Sequence, residues 1–371
     1  MSKYLITGAG VELGTGRHAQ VVALVPAHNE EAALPAALDS LWQQTRRPDR
    51  VVVVADNCTD RTVEVARAAG AEVFETVANM HKKAGGLNQA LGVLLELLAP
   101  NDRILVMDAD GALAPGFVEL ALSELDDETV GAVGGIFWGE SGHGLVGELQ
   151  RNEYARYARD IERKRGRAMV LTGTATLHRV DVLIAVAAAR GRTLPGPAGR
   201  VYDTTALTED NEITLAIKTL GYRCVSPAEC WVVTEVMPTW RDLWRQRLRW
   251  QRGAIENLRA YGLNRVTLPY AVQQLGMGIG VIAMWSFVLL TVLTAGAGYT
   301  FRPLWLLVGL IFVAERIVTV RRRGPRAVVL AAVMVVEWAY DLFLQGVLLR
   351  SVWDSIRRAE ARWHHVSAPA S

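Results

Sequence analysis

Cysteine is scarce. The chain has three, Cys58, Cys224 and Cys230, and an odd number without the close paired spacing of a zinc or redox site excludes a disulfide framework. All three are expected to be reduced, structural residues. Charge of one sign is lacking in excess as well: 40 Lys and Arg against 38 Asp and Glu leave a formal net charge of +2. No block of like charge suggests a nucleic-acid tail, so nucleic acid is not an expected partner. Met1 to Gln20 lacks a basic start followed by an apolar core, which argues against a cleaved signal peptide and predicts a cytosolic head. Long uncharged runs are missing from the first 265 residues, but between Arg265 and Arg302 no charged side chain occurs at all. That stretch exceeds the ~20 residues a membrane-spanning helix needs. With 51% hydrophobic residues the chain is too apolar to be disordered. A folded head followed by a membrane tail is the expectation.

Within the head, short apolar runs alternate with helical patterns. Val21 to Pro26 reads as a strand, and Glu30 to Gln44 follows with helical spacing at Leu34, Leu38 and Leu41. Val51 to Ala55 repeats the unit, with Thr59 as the expected cap of a helix over Thr62 to Ala69 and Gly70 closing the turn. A third unit runs from Ala71 to Phe74 into a helix ending near Leu98, and a fourth strand is Ile104 to Met107. Apolar strands separated by helices imply an α/β, Rossmann-like fold: a mainly parallel sheet covered on both faces, whose ligands bind beyond the carboxyl ends of the strands.

One glycine cluster misleads. Gly8, Gly10 and Gly14 imitate a dinucleotide fingerprint, but Glu12 and Leu13 stand where glycine is wanted and no amphipathic helix follows. A glycine-rich leading loop is the better reading. The acidic clusters are more informative, because they fall at strand ends: Asp56, Asp108-Ala-Asp110 and Glu209-Asp210. Two carboxylates at i and i+2 after a buried strand suit a Mg²⁺ or Mn²⁺ ion shared with phosphate oxygens, and equally suit a solvated turn. Lys82-Lys83-Ala-Gly-Gly-Leu-Asn88 opens the third helix, where a cation and small residues suit a diphosphate; an ordinary solvated lysine pair fits too.

Taken in order, Pro26-Ala-His-Asn-Glu30, Ala55 to Asp60, Lys83 to Asn88, Asp108-Ala-Asp110, Gly173-Thr174, Thr208-Glu-Asp210 and Gln246-Arg-Leu-Arg-Trp250 resemble the motifs of family 2 glycosyltransferases of the GT-A fold. More narrowly they are similar to those of the membrane-bound synthases of cellulose, chitin, hyaluronan and poly-N-acetylglucosamine, over roughly Val21 to Tyr261. The resemblance implies that Pro26, His28, Glu30 and Asp56 hold the uridine and Lys83 the diphosphate. It implies that Asp108 and Asp110 hold ribose and metal, that Asp210 is the catalytic base, and that Gly173, Thr174 and Glu209 lie near the acceptor. Gln246, Arg249 and Trp250 would close over the diphosphate and the acceptor sugar. The segment from Leu207 through Trp231 to Trp250 looks most like poly-N-acetylglucosamine synthases, which makes UDP-N-acetylglucosamine the expected donor.

Trp240 to Arg259, laid on a helical wheel, places Trp240, Leu243, Trp244, Leu248, Trp250, Ala254, Ile255 and Leu258 within an arc of about 160°, interrupted by Arg247 and Gln251. That pattern predicts a helix lying in a membrane interface. Leu275 to Tyr299 is the expected span, and Pro303 to Val320 and Ala327 to Leu349 are further candidates carrying Glu315, Arg316, Glu337 and Asp341. Ionised groups at mid-bilayer cost roughly 2.5–3.5 kcal/mol each, so these should line a polar path for a sugar chain or meet Arg316 or a partner subunit. Arg321, Arg322, Arg323 and Arg326 should be cytosolic, which fits two crossings. A third would carry Arg350, Arg357, Arg358 and Arg362 outside, unless the last segment is re-entrant.

The expected organisation is a leading segment (1–20), a GT-A domain (21–238), an interface helix (239–265), two or three transmembrane helices (266–349) and a basic tail (350–371). The expected activity is that of an inverting, metal-dependent, processive polysaccharide synthase that uses a UDP-sugar to make or extend a β-linked glycan at the cytosolic face of the cell membrane, with the lipid bilayer, and a partner subunit or second copy, as partners. Transfer of one sugar to a membrane lipid is the alternative within enzymes; a nucleotide-sugar-binding scaffold without turnover is the alternative outside them.

Overall fold

The computed structural model describes residues 19–294 and 303–357. The Gly8, Gly10 and Gly14 cluster with Glu12, the end of the expected span at Tyr299, and Arg358 and Arg362 lie outside the described residues. The chain divides into two compact units, one of residues 1–140 and 160–235, the other of residues 141–159 and 236–371.

In chain order the strands are β1 (Val21–Ala27), β2 (Arg50–Ala55), β3 (Glu72–Glu75), β4 (Arg103–Met107), β5 (Ala112–Leu113), β6 (Val130–Gly134), β7 (Ile136–Gly139), β8 (Ala175–Arg179), β9 (Arg223–Val225) and β10 (Trp231–Thr234). The helices of the first unit are α1 (Leu34–Trp42), α2 (Thr62–Ala68), α3 (Lys82–Leu97) and α4 (Phe117–Glu124), then, after α5 (Gly144–Arg163), α6 (Val180–Ala189) and α7 (Glu209–Thr219). Seven strands form one sheet in the order β3-β2-β1-β4-β8-β6-β9, and β5-β10-β7 form a second. The large sheet is mainly parallel, as the apolar runs imply; β8 is the exception, antiparallel to both β4 and β6.

Alternation along the strands explains why both faces are covered. Val21, Ala23, Val25, Val51 and Val53 point to the core shared with Leu34, Leu38 and Leu41 of α1 and Phe117 of α4. Val22, Leu24, Val52 and Val54 are equally buried on the other face, where α3 packs, its Gly86 within van der Waals reach of Val54. Each fully buried Leu or Val side chain stabilises by ~1.5–3 kcal/mol, so a strand of such residues cannot slip register without losing its core. Cys224 and Cys230 are buried, and burial pushes both thiols up to about 12, which leaves them inert.

Two helix starts differ from the sequence reading. The helix expected from Glu30 begins at Leu34, with Pro35 in its first turn, because the amides of Glu30 and Glu31 are taken by Thr62 Oγ1 and Asp60 Oδ2. Thr59 does not cap α2. Its amide is held by Asn29 Oδ1, and Asp60 Oδ1 accepts from the Thr62 amide instead. Gly70, with φ at +80°, closes the turn after α2 as expected.

In the second unit, α5 up to Arg159 joins α8 (Trp240–Tyr261), α9 (Leu268–Thr294), α10 (Pro303–Val320), α11 (Pro325–Ala332) and α12 (Met334–Ile356). Thr239 caps α8, its hydroxyl accepting from the Asp242 amide. The apolar face of α8 packs on α12: the Trp240 and Trp244 rings lie 5.1 and 5.5 Å from that of Phe343. Arg247, an interruption on the wheel, is buried; it pairs with Glu153 at 3.0 Å and lies over the Trp250 ring at 4.3 Å. Glu337 and Asp341 do meet Arg316, at 3.1 and 2.7 Å, and Arg156 reaches Glu337 at 3.0 Å. The 27-residue α9 is long and apolar enough to cross a membrane and is almost wholly exposed. The segment expected as one helix from Ala327 breaks at Val333, where α11 and α12 meet at 78° without a proline or glycine to account for the bend. Among the described residues this makes one spanning candidate, or two if the bent pair is one broken span.

Candidate active site

The strand order reverses beside β1, with β2 on one side and β4 on the other. Open α/β sheets bind ligands at such a point. His28 and Glu30 follow β1, Asp56 follows β2, and Asp108 and Asp110 follow β4. Asp56 is buried, its Oδ1 accepting from Thr76 Oγ1 at 2.7 Å and from the Asn79 and Asn57 amides at 2.8 and 3.1 Å. His28 Nδ1 lies 2.5 Å from the Asp56 carbonyl oxygen. Pro26, half-buried, is the next-to-last residue of β1, followed by the buried Ala27.

Lys83 is the cation at the centre. It stands in the first turn of α3, and its Nζ lies 2.6 Å from Asp108 Oδ1 and 2.8 Å from Glu209 Oε1. Burial works against the ammonium, yet these two carboxylates hold its pKa well above the ordinary lysine value. The glycines that follow have a steric reason: a Cβ on Gly85 would lie 2.0 Å from Asn79 Oδ1. Asn88, last of the same motif, exchanges hydrogen bonds with the backbone of Tyr202 at 2.8 and 2.9 Å and pins the loop before α7 to α3.

Glu209 and Asp210 open α7. Asp210 Oδ2 accepts from the Gly173 amide at 2.9 Å, and Oδ1 accepts from the Asn211 amide at 2.8 Å. A Cβ on Gly173 would come 3.2 Å from Asp210 Oδ2 and 3.3 Å from Lys83 Nζ, a tight fit that a larger residue could take only by displacing them by a few tenths of an ångström. Thr174 lends its carbonyl to the Asp108 amide at 3.0 Å. Burial, and then Glu209, push the Asp210 carboxyl up to about 6, against the pull of Lys83. Behind α7's first turn, Arg190 and Glu212 form a fully buried ion pair, and Arg190 also donates to the carbonyls of Val201 and Pro195. A small cavity beside Lys83 and Asp210 is lined further by Thr172, Thr176, His178 and Tyr202. Burial drops the His178 imidazole to about 3, so it is neutral there.

Asp110 differs from its neighbours. Its Oδ1 is buried without a hydrogen-bond partner, and burial, then Asp108, Glu235 and Glu30, push its carboxyl up to about 8. Glu30 rises to about 7, by burial first and Glu235 next. An orphaned oxygen among carboxylates fits a divalent cation, which would supply the missing partner. Among the described residues no three His, Cys, Asp or Glu enclose an ion by themselves. Phosphate oxygens and water would have to complete the sphere, as is usual for Mg²⁺.

The first unit thus brings together Pro26, His28, Glu30, Asp56, Lys83, Asp108, Asp110, Gly173, Thr174, Glu209 and Asp210. Gln246, Arg249 and Trp250 stand on α8 of the second unit. Sequence reasoning missed Asn79 and Thr76, which hold Asp56, and the Arg190–Glu212 pair behind α7. It also missed Glu235, although the strand-end signal that found Asp108 applies to it, since it follows β10 directly.

Comparison with known proteins gives the family. A probable glycosyltransferase, YdaM, of Bacillus subtilis is 29% identical over 63% of this chain and 55% of its own. The poly-beta-1,6-N-acetyl-D-glucosamine synthase of Staphylococcus aureus is 25% identical over 63% of this chain and 54% of its own. The chain therefore spans about half the length of the curated relatives it matches. Among solved structures, the mannosyltransferase PcManGT of Pyrobaculum calidifontis, in complex with GDP-Man and Mn²⁺, superposes with a TM-score of 0.61 at 19% identity, covering 93% of this chain and 89% of that one, and shares its fold. The family model described as Glycosyltransferase like family 2 matches residues 18–253, well over half of the sequence and every motif of the strand-end site. The chain belongs to glycosyltransferase family 2, and it is a glycosyltransferase of the GT-A fold.

Proposed function

We propose that the chain is an inverting, metal-dependent glycosyltransferase that takes a UDP-sugar, UDP-N-acetylglucosamine foremost, and makes or extends a β-linked glycan at the cytosolic face of the cell membrane. The observation that carries this is Asp210. Its carboxylate is fixed by two backbone amides, beside a lysine that bridges Asp108 and Glu209. A pKa of about 6 makes it a competent base at neutral pH.

Inversion needs a base on the face of the sugar opposite the leaving UDP. The acceptor hydroxyl oxygen forms the new bond to the anomeric carbon, its proton passes to Asp210, and the bond from that carbon to the diphosphate oxygen breaks. Lys83 would balance the charge on the departing diphosphate, and Asp56 with the Pro26, His28 and Glu30 loop would hold the uridine. A Mg²⁺ or Mn²⁺ ion at Asp110, when bound, would neutralise the charge developing on the leaving group. Gly173, Thr174 and Glu209 would border the acceptor. The roles of Gln246, Arg249 and Trp250 rest on the motif alone. The similarity to a poly-beta-1,6-N-acetyl-D-glucosamine synthase supports the donor, and the exposed apolar α9 supports the membrane.

A second reading is transfer of a single sugar to a membrane lipid. It is favoured by the one or two spanning candidates among the described residues, few for a polymer channel. The test is to incubate purified full-length protein in detergent with Mn²⁺ and a panel of UDP-sugars and to measure UDP release and product mass. Release with UDP-N-acetylglucosamine is expected, and a ladder on a sizing gel separates polymer from single transfer. No release with any UDP-sugar would sink the proposal.

A further inference from the structure

We propose that the divalent cation is held by Asp110 and Glu235 as its pair of carboxylates, with Asp108 committed to Lys83. This rests on the metal-dependent reading above and assigns the second carboxylate. Sequence spacing pairs Asp110 with Asp108, two residues earlier. In the structure Asp108 already has its cation, the Lys83 ammonium at 2.6 Å. Among the described residues Asp110 has no ion-pair partner, and one of its oxygens is buried and unpartnered.

Glu235 and Asp110 lie at the same end of one strand pair. β5 and β10 pair antiparallel, with Val232 opposite Leu113 and Val233 opposite Ala112. Glu235 directly follows Thr234, the last residue of β10, and Asp110 lies in the turn two residues before β5, so the antiparallel pairing puts both at the same end of the ladder. The turn between Asp108 and β5 does hug β10 here, since a Cβ on Gly111 would lie 3.3 Å from Val232 Cγ2. The negative charge of Glu235 is felt by both Asp110 and Glu30. Two carboxylates at the same end of one strand pair, one of them with an orphaned oxygen, form the kind of donor set that Mg²⁺ and Mn²⁺ use together with substrate phosphates.

The test is Mn²⁺ binding itself, read from the loss of the free-ion signal in electron paramagnetic resonance. It uses purified full-length protein in detergent, with and without UDP, with melting temperature as the check on folding. Glu235→Gln is expected to weaken Mn²⁺ binding at least tenfold, as Asp110→Asn does. Asp108→Asn should change it by less than about threefold, and Glu229→Gln, on an exposed loop, should leave it unchanged. If Glu235→Gln fails to fold, Glu235→Asp carries the same test, its shorter side chain weakening binding several-fold. A folded Glu235 variant that binds Mn²⁺ like the wild type, or an Asp108→Asn variant that loses binding as Asp110→Asn does, overturns the assignment and leaves the metal-dependent reading standing. A wild-type protein that binds no Mn²⁺ with UDP present takes both down together.

Discussion

Asp210 offers the sharpest test, because base and helix-opening residue make different demands on one carboxylate. With its carboxyl at about 6, Asp210 is about 90% ionised at pH 7 and about 10% at pH 5, so kcat/KM should fall roughly ninefold over that interval from this group alone. In Asp210→Asn the acid limb should vanish, and transfer should drop to under a hundredth of the wild-type rate, within the ~10²–10⁴ a positioned base contributes. Stability should not suffer in parallel. A carboxyl raised above its unfolded value of 3.8 favours the protonated folded state; its cost is absent below that value and fully present above about 6. At 1.36 kcal/mol per unit that cost is roughly 3 kcal/mol at pH 8, whereas Asn forfeits one of two amide bonds, about 1 kcal/mol. The variant should therefore melt no lower than the wild type at pH 8 and still bind UDP-sugar by calorimetry. Near-normal turnover, or a wild-type rate flat between pH 5 and 7, would refute the reasoning and pass the base role to Glu209, which Lys83 already holds at 2.8 Å.

Three other outcomes follow from the same geometry. Excess EDTA should abolish transfer, and Asp110→Asn should slow it at least a hundredfold, about 2.7 kcal/mol of barrier; full activity in the chelator speaks against any metal. Arg190→Met strands Glu212 without its buried partner and should cost ~3–5 kcal/mol of head stability in denaturant unfolding, largely restored in Arg190→Met with Glu212→Leu; a loss under about 1 kcal/mol would mean the pair is dispensable. Serine at both Trp240 and Trp244 removes their ring contacts with Phe343, each worth ~0.5–1.5 kcal/mol beyond area, and should lower the melting temperature in detergent; an unchanged melt would return these rings to a lipid-facing role.

The sheet was largely legible because its strands are buried on both faces, and uninterrupted runs such as Val51 to Ala55 have no other economical explanation. Legible for the same reason were the carboxylates at strand ends, since a chain leaving a buried strand must turn where the ligand sits. Less so was β8. Ala175-Thr-Leu-His-Arg179 reads as a strand in either direction, and only its partners, Val106 opposite Thr176 and Ala132 opposite His178, make it antiparallel. Glu235 carries the local signal, since it follows β10 directly, but what singles it out is the antiparallel pairing of β10 with β5, more than a hundred residues earlier, which brings it to the end of the ladder where Asp110 lies.

The buried charges of the second unit show where pattern reading stops in principle. A helical wheel assigns a side chain to a face, and a charge on an apolar face then looks like an interruption, as Arg247 did. What decides the matter is whether a partner arrives, because an unpaired buried ion costs several kcal/mol while a paired one can break even. For Arg247 the partner is Glu153, and for Glu337 the partners are Arg156 and Arg316. Of these only Arg316 was foreseen, on the neighbouring apolar segment where a partner was being sought. Glu153 and Arg156 sit on α5, a polar helix that the sequence alone assigns to the head, yet residues 141–159 belong to the second unit. The charges on α8 and α12 are thus intelligible only together with α5. An ionisable group on an apolar helix predicts that a complementary charge exists somewhere in the fold, and the sign of that charge is the only part of the prediction that one sequence can carry.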